Sequence, residues 1–200
     1  MRIVTRLLLA CSLLWLLGCA TPAERAEKLY QEGKFEEVLQ RYPQEPAAGK
    51  AKEALATRLL KAGEYERVIA EFKDTPVLHE ARVKRAEQLL EQNQIDEILA
   101  NFSDTPAAIR AREKAAQALY DAGRVTEAAR DYPQTSAGQL ARTELARAEF
   151  DRAMTFKSPA ERRKALEAIV TSSLFTGTEA HVKAQTELAK LDGAPIIGNY

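Results

Sequence analysis

The stretch AGEYERVIAEFKDTP, residues 62–76, has three related copies elsewhere in this chain of 200 residues. EGKFEEVLQRYPQEP precedes it at residues 32–46, QNQIDEILANFSDTP follows at 92–106, and AGRVTEAARDYPQTS follows at 122–136. The copies are spaced by 30 residues, and a fixed period of about 20–50 residues is typical of proteins built from stacked repeats. Because one small unit cannot bury its apolar face alone, repetition lets neighbouring units cover one another.

Similar residues recur in register through these copies and through the segments between them. Alanine, aliphatic residues, glycine or asparagine, and aromatic residues each keep their own place in the period. The main columns are Ala26, Ala56, Ala86, Ala116 and Ala146; Leu29, Leu59, Leu89 and Leu119; Gly33, Gly63, Asn93 and Gly123; Phe35, Tyr65, Ile95 and Val125; Val38, Val68, Ile98 and Ala128; and Tyr42, Phe72, Phe102 and Tyr132.

Each period is predicted to contain two helices. Residues 46–62 are predicted to form a first helix, because proline suits the first helical position and Gly63 tolerates the left-handed turn that ends a helix. A short second helix is predicted near residues 64–73, where apolar residues fall at i, i+3, i+4 and i+7. In the following units, Thr75-Pro76 and Thr105-Pro106 predict a capping threonine before the proline that opens each first helix.

These units resemble the tetratricopeptide repeat. GEYERVIAEF, residues 63–72, and its copies match the Gly-x-aromatic turn and the second helix of that family. The family's repeat has 34 residues, so this period is four residues shorter, and the missing residues fall between Phe72 and Pro76. The resemblance covers roughly residues 22–150. It implies an all-α fold, namely a right-handed solenoid of antiparallel helix pairs with a 30-residue period.

Beyond Phe150 the register of the columns is lost. The sequence SPAE, residues 158–161, predicts a capping box that opens a helix to about residue 172. A last helix is predicted near residues 179–191. We therefore predict repeats over residues 19–157, capping helices over 158–192 and a tail over 193–200.

The first 18 residues predict a signal peptide. Arg2 and Arg6 precede an apolar run at residues 7–17, which is too short for a spanning helix of about 20 residues. The run ends in LLGC, residues 16–19, which resembles the lipobox of bacterial lipoproteins. The resemblance implies cleavage before Cys19 and attachment of fatty acids such as palmitate to that cysteine. The alternative is an ordinary secretory signal followed by a chance cysteine.

The residue after the lipobox bears on the location of the protein. Lipoproteins retained at the inner membrane often have aspartate there, so Ala20 favours the outer membrane, facing the periplasm, by the same resemblance. Cys11 would leave with the signal peptide, and the mature chain would then have no second cysteine for an intrachain disulfide. Removing Arg2 and Arg6 from 29 basic residues leaves 27 against 29 acidic residues, a near balance that argues against nucleic acid as a partner.

No set of residues in the sequence predicts catalysis, a cofactor or a metal site. His79 lacks a sequence-evident nucleophile, and His181 has Glu179 nearby but too few further ligands at helical spacing. Acidic residues recur in the second helices, where they are better interpreted as a solvated face than as catalytic pairs. No glycine-rich phosphate loop is present. We predict that the protein is not an enzyme.

A basic residue takes the place near the start of each first helix where the tetratricopeptide family usually has a large aromatic residue. The four side chains form either a ladder for an acidic partner or for lipid headgroups, or long stems that cover apolar surface and reach a nearby carboxylate. These residues are Lys52, Arg82, Arg112 and Arg142.

Stacked helix pairs leave a concave surface lined by their first helices, and by resemblance this surface binds an extended or helical peptide. The apolar members of the groove are alternatively interpreted as core residues. The predicted groove residues are Leu60, Glu87, Leu90, Gln117, Tyr120, Asp121, Arg147 and Phe150.

The combined features resemble the tetratricopeptide lipoproteins that assist outer-membrane assembly, of the barrel-assembly type. YPQTSAGQLARTELA, residues 132–146, resembles the joints between repeats in that group. The predicted function is a lipid-anchored scaffold that binds envelope proteins or peptides in outer-membrane, secretion or pilus assembly and contacts the membrane through its lipid only. A pilotin or secretion scaffold is a second interpretation within this class. A cell-wall enzyme or its accessory subunit is the alternative outside it.

Overall fold

A computed structural model describes residues 20–193, and these residues form eleven α-helices and no strand. The predicted all-α class is confirmed for this part of the chain. The predicted signal peptide, Cys19 and residues 194–200 of the predicted tail lie outside the described residues. The helices are α1 (Pro22–Gln31), α2 (Phe35–Arg41), α3 (Pro46–Lys61), α4 (Tyr65–Glu71), α5 (Leu78–Glu91), α6 (Ile95–Asn101), α7 (Pro106–Asp121), α8 (Val125–Asp131), α9 (Ser136–Thr155), α10 (Pro159–Thr171) and α11 (Glu179–Leu191).

The turns that follow α1, α3, α5 and α7 are confirmed as left-handed. Gly33, Gly63 and Gly123 have φ of 73°, 79° and 74°, and Asn93 has 57°. At Gly63 the N–H groups of residues 63 and 64 donate to the carbonyls of Leu60 (3.1 Å) and Leu59 (3.0 Å). This is the Schellman pattern, in which a left-handed residue satisfies the last carbonyls of a helix.

The second helices are shorter than predicted. The one predicted at residues 64–73 is α4, which is seven residues long and ends at Glu71; the N–H of the next residue, Phe72, donates to the carbonyl of Val68. The chain is then held by Thr75, whose N–H (3.1 Å) and hydroxyl (2.7 Å) both donate to the Phe72 carbonyl. Residues 72–75 therefore form the connection to the next helix, which we call a joint. Helical periodicity had predicted residues 72 and 73 as part of the second helix.

The predicted role of the joint threonines as helix caps is wrong in two places. The Thr105 hydroxyl makes no cap to α7 and donates to the Phe102 carbonyl at 2.7 Å. Thr75 makes the equivalent bond, and α5 begins at Leu78 rather than at Pro76. Thr135 alone of these three also caps, because its oxygen accepts from the N–H of Gly138 at 3.1 Å while its hydroxyl donates to Tyr132.

The described chain divides into two compact units, which meet in sequence within α5, between Arg85 and Ala86. In unit 1, α1 packs against α2 and α3, α2 packs against α3, and α3 packs against α4. One cluster joins Ala26 and Val38 with the first turns of α3. The other cluster joins Leu55 and Leu59 of α3 with Phe72, which follows α4, and with Ala81 of α5.

In unit 2, α7 packs against α6, α8 and α9, and α9 packs against α8, α10 and α11. One core cluster gathers around Ala128, Ala129 and Ala141, and another around Leu166 and Ile169 of α10. In both units the alanine column found in the sequence is fully buried, which small residues permit where helices pack side by side. The column comprises Ala26, Ala56, Ala86, Ala116 and Ala146, each with 0 % exposure.

The repeat geometry returns after Phe150, where the sequence columns end. Phe175 and Thr178 form the same joint as Phe72 and Thr75, because the N–H (3.0 Å) and hydroxyl (2.7 Å) of Thr178 donate to the Phe175 carbonyl. Ala184 then follows six residues later at 0 % exposure, as Ala81 follows Thr75. Thus α11 begins as the first helices of the repeats do.

Within residues 20–193, no helix combines the length and the apolar character needed to cross a membrane.

Candidate functional site

Two of the predicted groove residues belong to the core of their own unit. Leu60 in unit 1 is 9 % exposed and packs in the cluster of Leu55 and Leu59. Leu90 in unit 2 is 8 % exposed, and Glu87, one turn earlier on α5, is half-buried. At both leucine positions the structure favours the core interpretation over an open groove.

Tyr120 on α7 is half-buried and packs against the cluster of Ala128, Ala129 and Ala141. Its hydroxyl donates to the carboxylate of Glu144 on α9 at 2.5 Å. That hydrogen bond raises the pKa of the Tyr120 phenol above its ordinary value. The aromatic ring therefore lies between the core and the surface, and its polar end already has a partner.

Gln117 and Asp121 lie on the exposed face of α7. The Gln117 amide donates to the Asp121 carboxylate at 2.7 Å, across one helical turn. Such an i, i+4 pair orders two surface side chains without burying either.

The other two predicted groove residues meet in a cavity between α9 and α11, with a volume of about 410 Å³. Phe150 is half-buried and packs on the cluster of Ala153, Leu166 and Ile169. Arg147 is 83 % exposed. The lining consists of Thr143, Arg147, Phe150, Asp151, Glu179, Ala180 and Lys183.

The cavity carries two ion pairs, one on each helix. Arg147 Nε lies 3.7 Å from Asp151 Oδ2, and Lys183 Nζ lies 2.6 Å from Glu179 Oε1. The Lys183 hydrogen bond lowers the pKa of Glu179, and the charge of Arg147 adds to the effect. Arg147 therefore acts electrostatically on both walls. All four charged groups are well exposed, so solvent screens their pairing and leaves them able to exchange partners.

Sequence reasoning missed the α11 wall of this cavity. The sequence indicates Glu179 only as a neighbour of His181 and indicates no role for Lys183, because the columns end before this helix. The spacing from Phe175 to Thr178 repeats that from Phe72 to Thr75. That signal could have placed α11 beside α9 as another first helix.

The basic column points to the joints rather than to a partner. Lys52 Nζ lies 2.6 Å from Asp74 Oδ1, and this contact lowers the pKa of Asp74. Arg142 donates to the carbonyls of Leu174 (2.9 Å) and Thr176 (2.8 Å) in the joint before α11.

The other two members of the column, Arg112 and Arg82, differ in their surroundings. Arg112 donates to the Ser103 carbonyl at 3.3 Å, in the joint before its own helix. Arg82 is half-buried on α5. Lys52, Arg112 and Arg142 therefore bond within the chain, as the second interpretation of the column expects.

The acidic residues of the second helices pair with arginines. Glu36 forms an ion pair with Arg58 of α3. Glu66 lies 2.6 Å from Arg85 of α5. Each of these ion pairs connects a second helix to a first helix of the same unit.

The histidines do not assemble a site. His79 is exposed, and His181 Nε2 lies 3.3 Å from the Val170 carbonyl at the end of α10. Among residues 20–193, no three histidine, cysteine, aspartate or glutamate side chains gather where they could hold a metal ion.

In comparisons with known proteins, no family model matches this chain and no curated protein matches it significantly.

Proposed function

We propose that this protein is a lipoprotein of the outer membrane that faces the periplasm and binds other envelope proteins or peptides through its first helices. The proposed architecture is a right-handed solenoid of antiparallel helix pairs with a 30-residue period. Helices at 65–71, 95–101 and 125–131 support this period, as do the left-handed turns at residues 33, 63, 93 and 123. The role fits a pathway that assembles or secretes envelope proteins.

The cavity between α9 and α11 is the observation that carries the binding role. It combines an apolar floor at Phe150 with exposed charges of both signs at its rim. One aromatic side chain among charged groups of both signs can give a peptide side chain an apolar contact together with ion-pair partners. Binding energy in such sites concentrates in a few central residues.

A photoreactive amino acid in place of Thr143 tests the binding role in intact cells. We expect it to crosslink an envelope protein, and Arg147→Glu should reduce the yield about tenfold if Arg147 contributes as a central residue, near 1.4 kcal/mol. The matched control is Arg67→Glu on α4, which removes the cation of another exposed i, i+4 ion pair. Equal loss of the adduct in both variants, or no loss in either, contradicts the role of the cavity.

The lipid anchor has a separate test. Cys19→Ser should leave the N-terminus without acyl groups and release the protein from sedimented membranes, because the acyl chains supply the membrane affinity at about 0.8 kcal/mol per buried methylene. Unchanged sedimentation, together with an unmodified N-terminal mass in the unsubstituted protein, contradicts the lipoprotein assignment.

A further inference from the structure

The folded part of this protein begins almost at the proposed lipid anchor. Thr21 caps α1 in a reciprocal capping box: its oxygen accepts from the N–H of Glu24 at 3.2 Å, and its own N–H donates to the Glu24 carboxylate at 2.7 Å. Only Ala20 separates Thr21 from Cys19. Since consecutive Cα atoms are 3.8 Å apart, the Cα atoms of residues 19 and 21 are at most about 7 Å apart.

The joint between α2 and α3 lies beside the start of α1. A turn of residues 32–34 returns the chain from α1 into α2, and Tyr42 at the end of α2 packs in the same cluster as Ala26. Lys50 on the first turns of α3 also reaches Glu27 of α1 at 3.4 Å. The beginning of α1 and the joint of residues 42–45 therefore share one edge of unit 1.

This edge suits contact with lipid headgroups. Pro22 and Ala23 on α1, with Pro43 and Gln44 in the joint, are exposed and uncharged, and the exposed charges beside them are of both signs, namely Glu24, Arg25 and Arg41. Uncharged side chains avoid the desolvation cost that a charged group would meet in such a contact. Because only Ala20 separates Thr21 from the proposed anchor at Cys19, this edge stays close to the bilayer. The resulting high effective concentration means that the edge itself needs no affinity for lipid.

We propose that this edge of unit 1 rests on the headgroup layer of the bilayer that holds the acylated cysteine. The inference rests on the proposed lipid anchor at Cys19 and deepens the proposed function. It makes the anchor a positioning device as well as a means of retention. A flexible leash would let unit 1 swing away from the membrane, whereas this connection holds it at the surface where partners embedded in the membrane are met.

A single introduced thiol can report the distance to the bilayer, because processing removes Cys11 and acylation blocks Cys19. The probe position is Gln44→Cys at the edge. The matched control is Ala62→Cys, an exposed residue just past the end of α3, which at 1.5 Å per residue lies about 24 Å further along that helix. Each full-length, processed variant carries a fluorophore and is placed in vesicles of phosphatidylethanolamine and phosphatidylglycerol that contain a headgroup spin-labelled lipid.

We expect quenching several-fold stronger at position 44 than at position 62. Inserting 20 Gly/Ser residues between Ala20 and Thr21, with a mean reach of about 25 Å, should reduce quenching at position 44 to the level at position 62. Equal quenching at the two positions without the insertion overturns the inference, as does strong quenching at position 44 that survives it.

Mass spectrometry of the same samples separates this inference from the anchor on which it rests. Acylated protein that shows no difference between positions 44 and 62 contradicts the docked edge and leaves the anchor standing. Protein that carries no acyl mass overturns the anchor, and the docked edge with it.

Discussion

Helix α3 of unit 1 and helix α7 of unit 2 carry the same buried alanines and differ in the side chains around them. Ala56 and Ala116 are both 0 % exposed. Leu59 and Leu60 of α3 are buried, whereas their counterparts Leu119 and Tyr120 on α7 are only half-buried.

The difference extends to the outer face of the first helices. Near its start α3 exposes Gly49 and Lys50, whereas α7 exposes Ile109 (63 %) and α9 exposes Leu140 (48 %). The exposed Val182 (55 %) on α11 continues this contrast within unit 2. The repeat thus constrains the positions where helices touch, and it leaves the outer positions free to differ. Substitutions at matched positions of the two units can break or sharpen this comparison.

The largest expected effect comes from shortening the buried leucine of the column. Leu59→Ala should lower the free energy of unfolding by about 2–5 kcal/mol, because it leaves a cavity among well-packed neighbours. Leu119→Ala, at the matched position of unit 2, should cost clearly less because that side chain is half-buried. Chemical denaturation of both variants in a Cys19→Ser background measures the difference. An equal cost would mean that the two units are packed alike.

Two glycines should respond in opposite directions. A Cβ on Gly138 of α9 would lie 1.9 Å from the Tyr132 carbonyl oxygen, so Gly138→Ala must displace the joint and should cost about 1–3 kcal/mol or more. A Cβ on Gly49 of α3 would meet no atom within 4 Å, and Gly49→Ala should stabilise by about 0.5–1 kcal/mol because alanine loses less entropy in a helix. Thermal unfolding of the two variants checks both signs. Stabilisation by Gly138→Ala would show that the joint yields readily.

Enlarging the alanine column should affect both units alike. Ala56→Leu and Ala116→Leu should each cost about 1–3 kcal/mol, since neither site has room for the added methyl groups. Ala118→Leu on the exposed face of α7 is the control and should leave the melting temperature nearly unchanged. Tolerance of either column substitution would show that the helices of that unit do not approach closely at the alanine.

The smallest effect is electrostatic and leaves stability nearly unchanged. Asp74 in unit 1 and Glu179 in unit 2 have lowered pKa values, because Lys52 and Lys183 respectively donate hydrogen bonds to their ionised forms. Lys52→Ala and Lys183→Ala should each raise the pKa of the partner toward its ordinary value. NMR titration of the two carboxyl groups measures the shift. Glu179 should keep part of its lowering through Arg147, and a full return to the ordinary value would place Arg147 away from the cavity.

Any stability that these pairs contribute has a defined pH dependence. A carboxyl group with a lowered pKa in the folded chain is fully stabilising above its unfolded pKa. The contribution is lost as the pH falls through the lowered value. Both pairs should therefore weaken only in acid, below the ordinary range of carboxyl groups.

Much of the local structure followed from residues close together in the chain. The left-handed turn at Gly63 requires only a residue that tolerates positive φ, and Asn93 serves the same purpose at 57°. The start of α3 at Pro46 and the span of α11 were likewise predicted. The ends of the second helices were not predicted. A hydrogen bond from Thr75 back to Phe72 competes with a further turn of α4, and hydrophobic periodicity contains no information about that bond.

The candidate site was only partly predictable. The period predicted Arg147 and Phe150 on one face of α9, and both line the same cavity. The sequence did not predict that Glu179 and Lys183 line the same cavity. They lie on a helix about 30 residues later, where the repeated residues of the columns no longer recur.

The sequence by itself determined the helical class and the burial of the alanine column, since both depend on steric properties of residues that recur every 30 positions in the sequence. It also carries LLGC, residues 16–19, whose resemblance to a lipobox underlies the proposed anchor at Cys19. Only the tertiary structure decided which apolar residues are core and which form a surface, because burial depends on the neighbouring helix that covers them. Leu60 is enclosed by the joint and helices of unit 1. Phe150 lies on α9, against which α10 and α11 pack, and it lines an open cavity.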